Sequence, residues 1–555
     1  METLSSVTDQ TASSRSRQQW RADVDTALQT QGLEVAARLA EQALADGIEE
    51  ASLLNLAAST RFQEQRYDEA LRLLQRANAL APNDPNVLNS LGVCLKATGE
   101  TGHALQAFEA AISIDPVMAQ AHFNRGTVLD DRGDLRAARS GYEQALALDP
   151  DYLDARAALA WIDAQTGDAP SAKSNGVSVL ASAPDNILAC MAVSSADLQQ
   201  GNLAAAAARL TPLSQDPGLS PVNRSIVVGM IADIYDATNR PAEAFAIYGA
   251  SNTLLRTLHP EFEAAGRETA IDRVRRLTSW FERAERAEWH TAPEADTAAG
   301  GGPAAHIFLV GFPRSGTTLL ENVLAAHPKV VSLEEKPLLD EAEAAYLTSN
   351  EALKRLAQIG PDEAHHYRDA YWSAVRSFGV EPSGRVFIDK MPLASVQLPI
   401  IAKLFPEARI LFAIRDPRDV VLSCFRRRFA MNASMYELLT LEGAAAYYDA
   451  VMRLSELYRG ILPLPQQVVR YESLVDNFEG TARAAFEFLG LEWDPSVADF
   501  AEKARTRGIN TPSAAQVVRG LNREGQGTWR RYRDQMAPIL PLLEPWAERF
   551  GYASE

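Results

Sequence analysis

GFPRSGTTLLENVLAAHPKVVSLEE, residues 311–335, follows the short apolar run HIFLV (306–310) and opens with two glycines spaced as in a phosphate-binding loop. In the pattern G-x-x-x-x-G-K-[ST], Gly311 and Gly316 hold the glycine positions and Thr318 the Ser/Thr position, but Thr317 stands where the lysine belongs. A strand, a glycine turn and a helix in succession aim backbone N–H groups and a helix N-terminus at one point, which makes an anion site. Thr317 and Thr318 add hydroxyl donors, and Arg314 adds a fixed charge. The missing lysine would sit against terminal phosphates beside Mg²⁺, so its absence points to a ligand with less terminal charge. Alone, the pattern also fits a tight strand–helix turn.

Downstream, the apolar runs RVFID (385–389), ARILFAI (408–414) and QVVRY (467–471) alternate with helical segments, as HIFLVGF (306–312) does with a helix from 316 to about 326. That order predicts an α/β domain with a mostly parallel sheet covered on both faces. Upstream, HTAPEADTAAGGGPAA (290–305) lacks apolar periodicity and reads as a linker, and 259–288 reads as one amphipathic helix carrying Val274, Leu277, Trp280 and Phe281.

Earlier still, Pro82, Pro116, Pro150 and Pro184 are spaced by 34 residues, as are Gly99, Gly133, Gly167 and Gly201, and the alanines from Ala36 to Ala206. Gly92 and Gly126 keep the same period. Small residues at the Gly92 and Ala104 positions let two helices approach, the Gly99 positions suit a turn, and the prolines end each unit. The pattern resembles the tetratricopeptide repeat. About six repeats are expected over 18–216, then an irregular one with its turn and second helix at Asn239–Ala244.

A chain of 555 residues needs two or more cores. The boundaries expected are a disordered tail at 1–17, an all-α repeat solenoid at 18–258, a connecting helix and linker at 259–303, and the α/β domain at 304–555. The net charge of −18 is uneven: residues 1–300 hold 25 Lys+Arg against 40 Asp+Glu, net −15, and the rest hold 29 against 32, net −3. Nonspecific nucleic-acid binding by the acidic half is excluded on that ground. Three scattered cysteines, a polar N-terminus without an apolar core and no run of 18 apolar residues lead us to expect a cytoplasmic protein with no membrane span.

Pro313-Arg314-Ser315-Gly316-Thr317-Thr318-Leu319-Leu320 resembles the 5′-phosphosulfate loop of sulfotransferases, and ILFAIRDPRDVVLSCFRRR (410–428) resembles their 3′-phosphate element. The resemblance covers 304–555 and is nearest to tyrosylprotein sulfotransferases and to bacterial proteins joining tetratricopeptide repeats to such a domain. It implies 3′-phosphoadenosine 5′-phosphosulfate (PAPS) as donor, its bisphosphate (PAP) as product, and no required metal. Donor contacts are implied for Pro313, Arg314, Ser315, Gly316, Thr317, Thr318 and Leu319, for Arg415 and Ser423 at the 3′-phosphate, and for Arg427, Tyr471 and Ser513. Glu335, the second of the Glu334-Glu335 pair, is implied as the base, Lys390 as the cation at the bridging oxygen, and Arg314 as its partner in holding the sulfuryl charge. Trp529 matches a tryptophan of the family's closing loop, but Thr528 replaces the basic residue before it, leaving Arg530 or Arg531 as substitutes. Arg426 and Arg428 should point away to solvent or an interface, and His327 should cap a helix.

The acceptor is not encoded in any motif. A protein or peptide tyrosine recruited by the repeats is one reading; a small metabolite, lipid or saccharide is another. A Mg²⁺-dependent kinase or NTPase using Asp389 or Asp416, and a non-catalytic repeat scaffold, are the competing classes.

Overall fold

The structure, a computed structural model, describes residues 15–290, 302–507, 517 and 520–552. The expected tail up to residue 14, the linker from 291 to 301, and Ser513 lie outside them.

The 34-residue period is built as antiparallel helix pairs. Arg17–Thr30 packs on Leu33–Ala45, Ala51–Gln63 on Tyr67–Leu80, Pro85–Ala97 on Thr101–Ile114, and Ala119–Asp131 on Leu135–Leu148. Helices Leu153–Thr166 and Ala169–Ser182 follow in sequence, Ile187–Gln199 packs on Leu203–Gln215, and Pro221–Ala237 with Pro241–Leu258 forms the irregular pair. Gly99, Gly133, Gly167 and Gly201 all turn with φ between +73° and +88°. Gln65, one period before Gly99, adopts the same left-handed conformation with a side chain, as does Asn239 in the irregular pair. The small positions are set by packing: a Cβ on Gly126 would meet the Tyr142 ring at 2.7 Å, and one on Gly92 would meet Phe108 at 2.6 Å.

Two compact units divide the chain, Met1–Ile162 and Asp163–Glu555, so the division falls inside the repeat array and not at the linker. In the second unit the irregular pair is built into the α/β domain. Asp236, at the end of Pro221–Ala237, accepts from Tyr532 Oη at 2.6 Å and Arg531 at 2.8 Å, and also pairs with Arg426. Asn252 donates to the Phe425 carbonyl at 2.9 Å, and the Phe245 and Phe425 rings lie 4.9 Å apart.

The single helix expected over 259–288 is instead three pieces: a 3₁₀ turn at Pro260–Glu263, a helix at Ala270–Phe281, and a short one at Arg286–His290. Gly266 turns the chain at φ +82°, and Thr269 restarts it by accepting from Asp272 N. The four residues named on that helix keep their apolar role, with Val274, Leu277 and Phe281 buried.

The α/β domain carries five parallel strands in the order β2-β3-β1-β4-β5. They are β1 (Ala305–Gly311), β2 (Val330–Glu334), β3 (Val386–Lys390), β4 (Arg409–Ile414) and β5 (Gln466–Arg470). Four coincide within a residue or two with the apolar runs. β2, VVSLE, is short and partly polar at the sheet's edge, which hides it from a search for apolar runs. Alternate residues serve two cores: Ile307 and Leu309 face the helices Thr317–Ala325 and Phe478–Leu489, whereas Phe308, Val310 and Phe312 face the side of Leu441–Ile461. That burial on both faces is why the strands read as continuous apolar runs. No described helix is long and apolar enough to cross a membrane.

Candidate active site

Because all five strands are parallel, their C-terminal ends meet at one edge. β1 lies between β3 and β4, with chain order reversing on either side of it, and the crevice at such a point is where open α/β sheets bind ligands. Each strand delivers a predicted residue there: Arg314 and Gly316 after β1, Glu335 after β2, Lys390 ending β3, Arg415 after β4, and Tyr471 after β5.

The loop after β1 folds as an anion cradle. Gly316 has φ +97° and leads into the helix Thr317–Ala325, whose first N–H groups therefore face the loop. A Cβ on Gly316 would lie 2.7 Å from the Tyr471 ring, so this glycine is required both by conformation and by space. Arg314 takes φ +70°, and its Nε donates to Ser423 Oγ at 3.0 Å. Arg415 lies over the Tyr471 ring at 4.7 Å, donates to the Arg314 carbonyl at 3.4 Å and bonds the Gly525 carbonyl. Burial, with Arg427 and Arg415 adding like-charge repulsion, pushes Arg314 down to about 9. An anion placed here relieves that repulsion. In this cradle the buried Ser315 Oγ and Arg415 Nε have no hydrogen-bond partner among the described residues. A pocket lined by Arg314, Gly316, Leu319, Arg415, Tyr471 and Asn522 opens on this cradle. Pro313, Thr317 and Thr318 are buried in its floor, the Pro313 carbonyl accepting from Cys424 Sγ at 3.3 Å.

The second half of the site is a buried lysine among carboxylates. The β2–β3 register sets Glu334 opposite Lys390. Lys390 Nζ is 2.6 Å from Glu335 Oε1, 3.2 Å from Glu334 Oε1 and 3.7 Å from Glu321 Oε2. Lys390 is fully buried, which alone would lower its pKa; Glu335, Glu334 and Glu321 outweigh that and raise it. Glu335 remains over a third exposed and adopts φ +46°, with its N–H bonded to the Lys390 carbonyl at 2.8 Å. Among the described residues only four without a glycine's freedom have positive φ, and Arg314 and Glu335 are two of them. Such strained backbone concentrates at functional sites.

Behind Lys390, Tyr371 Oη donates to Asp389 Oδ2 at 2.9 Å. His306 Nε2 lies 2.9 Å from the same hydroxyl, so with that proton committed the imidazole donates. Burial pushes Asp389 up to about 7, against the Tyr371 hydrogen bond, and pushes His306 down to about 3.

Residues 306–495 match the family model described as "Sulfotransferase family". This segment is a sulfotransferase domain. Tetratricopeptide-repeat models match 61–126 and 119–152. The chain aligns with a protein-tyrosine sulfotransferase of Drosophila melanogaster at 28% identity, over 44% of this chain and 53% of that protein. The chain also aligns with an uncharacterized protein of Aquifex aeolicus at 26% identity, over 43% of this chain and 32% of that protein. The chain thus spans between a third and about half of the length of these two relatives. Among solved structures, a tetratricopeptide repeat protein from Parabacteroides merdae aligns at 14% identity over 43% of this chain and 92% of its own, with a TM-score of 0.32.

In the sulfotransferase domain the structure brings together Arg314, Ser423, Arg415, Arg427 and Tyr471 on one side and Glu335, Glu334 and Lys390 on the other. Arg426 and Arg428 are only partly exposed and lie where the irregular helix pair packs on the α/β domain. Arg426 packs against Asp236 and Tyr248, and Arg428 packs beside Gly229. Arg531, one of the two expected substitutes for the basic residue before Trp529, pairs with Asp236 at 2.8 Å. Trp529 is itself buried, with Arg418 at 4.1 Å over its ring and its N–H bonded to Asp419 Oδ1 at 2.9 Å. His327 sits at the helix end, its Nδ1 accepting from Lys329 N at 3.1 Å.

Sequence reasoning missed Glu321 and Asp419. Glu321 looks like a solvent residue of an amphipathic helix, and only the burial of that helix on all sides identifies it. Asp419 follows Arg415 by one helical turn and accepts from the N–H groups of Gly527 and Trp529, anchoring the C-terminal segment beside the cradle.

Proposed function

We propose that the chain transfers a sulfuryl group from PAPS to an acceptor hydroxyl, with a protein or peptide tyrosine as acceptor. The observation that carries this reading is the pairing, at one sheet edge, of an anion cradle with a Glu335–Lys390 contact of 2.6 Å. Arg415, Ser423 and Arg427 hold the donor's 3′-phosphate, and the N–H groups after Gly316 hold its 5′-phosphosulfate with Arg314. Tyr471 packs beside the adenine, and Ser513 is assigned to the donor by its match to the family's donor-binding serine. PAPS supplies the sulfuryl group, and no metal takes part.

Glu335 takes the acceptor's proton as the acceptor oxygen bonds to sulfur. The bond from sulfur to the bridging oxygen breaks, and Lys390 donates a hydrogen bond to that oxygen as its charge grows. Most of the acceleration is positioning and electrostatic stabilisation, because both charges are preset by the sheet edge before the acceptor arrives. A tyrosine hydroxyl, with a pKa near 10, benefits from a carboxylate that removes its proton during attack. The repeats recruit the acceptor, and their net charge favours basic or polar flanking residues. The proposed compartment is the cytoplasm.

Incubating the chain with radiolabelled PAPS and tyrosine-containing peptides, beside phenylalanine counterparts, tests the assignment. Label on the tyrosine peptides alone supports it. Label appearing only on small hydroxyl metabolites, lipids or saccharides moves the acceptor class.

A further inference from the structure

Lys390 is surrounded by more carboxylate than one lysine needs. Glu334 and Glu335 reach it from the end of β2, Asp389 precedes it on β3, and Glu321 faces it from the helix Thr317–Ala325. Glu321 is fully buried, and its Oε1 accepts from Ser332 Oγ at 2.8 Å. Burying a carboxylate in a helix enclosed by apolar side chains is costly unless a cation faces it. At 3.7 Å from Lys390 Nζ it is within ion-pair range but beyond a hydrogen bond.

An ammonium has three N–H groups. Glu335 and Glu334, at 2.6 and 3.2 Å, occupy two of them in the resting site. On the reading above, Glu335 loses its charge when it takes the acceptor's proton. Lys390 therefore loses its nearest counter-ion at the moment it must serve the leaving oxygen.

We propose that Glu321 is a positioning residue for Lys390, the fixed carboxylate onto which the ammonium shifts when Glu335 is neutralised, so that the lysine stays charged and frees one N–H for the donor. Glu321 suits this role better than Glu334 because it is sealed from solvent, where its charge is little screened, and Glu334 is not. Ser332 fixes it in place. It rides on the helix whose N-terminus forms the phosphate cradle, so its distance from the donor is set by one rigid element. No proton moves to Glu321: the acceptor's proton rests on Glu335, and Lys390 gives a hydrogen bond only. This rests on Lys390 and Glu335 acting as proposed above.

The test is a calorimetric cycle with PAP as probe, which needs no acceptor. Wild type, Glu321→Gln, Glu335→Gln and the double variant are titrated at pH 7 and 9, with thermal midpoints confirming folding. Glu335→Gln imitates the neutralised base. Glu321→Gln alone should change PAP affinity less than about threefold, since Glu334 and Glu335 still hold the lysine. In the Glu335→Gln background it should weaken PAP about tenfold or more, the effect of about one pKa unit at a paired buried group, and the loss should grow toward pH 9. Ser332→Ala in that background should move affinity in the same direction by less, and it carries the test if Glu321→Gln misfolds. Equal losses in both backgrounds would mean that Glu321 only supports the fold, and would overturn the proposal. Absence of PAP binding by wild type would overturn the underlying donor reading instead.

Discussion

Replacing Gly316 by alanine tests how tightly the cradle is built. The new Cβ meets two costs. First, φ of +97° is a conformation an alanine leaves, at about 1–2 kcal/mol for the left-handed region. Second, the Cβ would stand 2.7 Å from Tyr471 Cδ2, so the ring must retreat by roughly 0.7 Å to regain an ordinary contact of 3.4 Å. That ring supports the Arg415 guanidinium at 4.7 Å, a contact worth about 0.5–2 kcal/mol depending on its desolvation. The loop escapes both by abandoning the cradle geometry, and ligand binding must restore it. The penalty therefore appears in affinity, about 2–3 kcal/mol or roughly 30- to 150-fold in Kd for PAP. Calorimetry on Gly316→Ala, Tyr471→Ala and the double variant separates the terms. With Tyr471 truncated the clash is gone, so the added loss from Gly316→Ala should shrink to the backbone term. The same added loss in both backgrounds, or none in either, would refute the geometry.

Glu335→Ala should leave PAP affinity within a fewfold while lowering turnover about 10²-fold or more, read by radiolabel transfer; unchanged turnover places the base elsewhere. Asp389→Asn should stabilise the chain more at pH 8 than at pH 5. The folded carboxyl sits up at about 7, so the cost of ionising it is absent below about pH 4, develops as pH rises, and is complete above about 7, at about 4 kcal/mol. Thermal midpoints of wild type and variant that stay parallel across that range would contradict this. Gly126→Val should cost about 1–3 kcal/mol by driving a side chain into Tyr142, and Tyr142→Leu should recover part of it in thermal unfolding; an unchanged midpoint would mean the helix pair has room to spare.

The repeat period was legible because turns and close helix contacts repeat the same small residues, and the strands because a sheet buried on both faces writes continuous apolar runs. The loop after β1 was legible because a strand–loop–helix fixes Gly316, Arg314 and Thr317 relative to one another within one stretch of chain. The rest depends on packing that the sequence does not print. Glu321 is buried by elements from β2 and β3, which no local pattern in Thr317–Ala325 announces. Arg426 reads as a surface residue until Asp236, 190 residues earlier, is brought to it. The break of 259–288 at Gly266 and Thr269 was written in the sequence, but the apolar spacing of Val274 to Phe281 masked it.

The proposed function requires the cradle after β1 to bind a sulfonate donor's nucleotide without a metal. Its most direct test is calorimetric titration of the chain with adenosine 3′,5′-bisphosphate, with and without Mg²⁺, beside ATP. Bisphosphate binding should be indifferent to Mg²⁺ and stronger than that of ATP. Silence with the bisphosphate and a Mg²⁺-dependent ATP signal would contradict it, and would make the loop that of a kinase or nucleotide hydrolase.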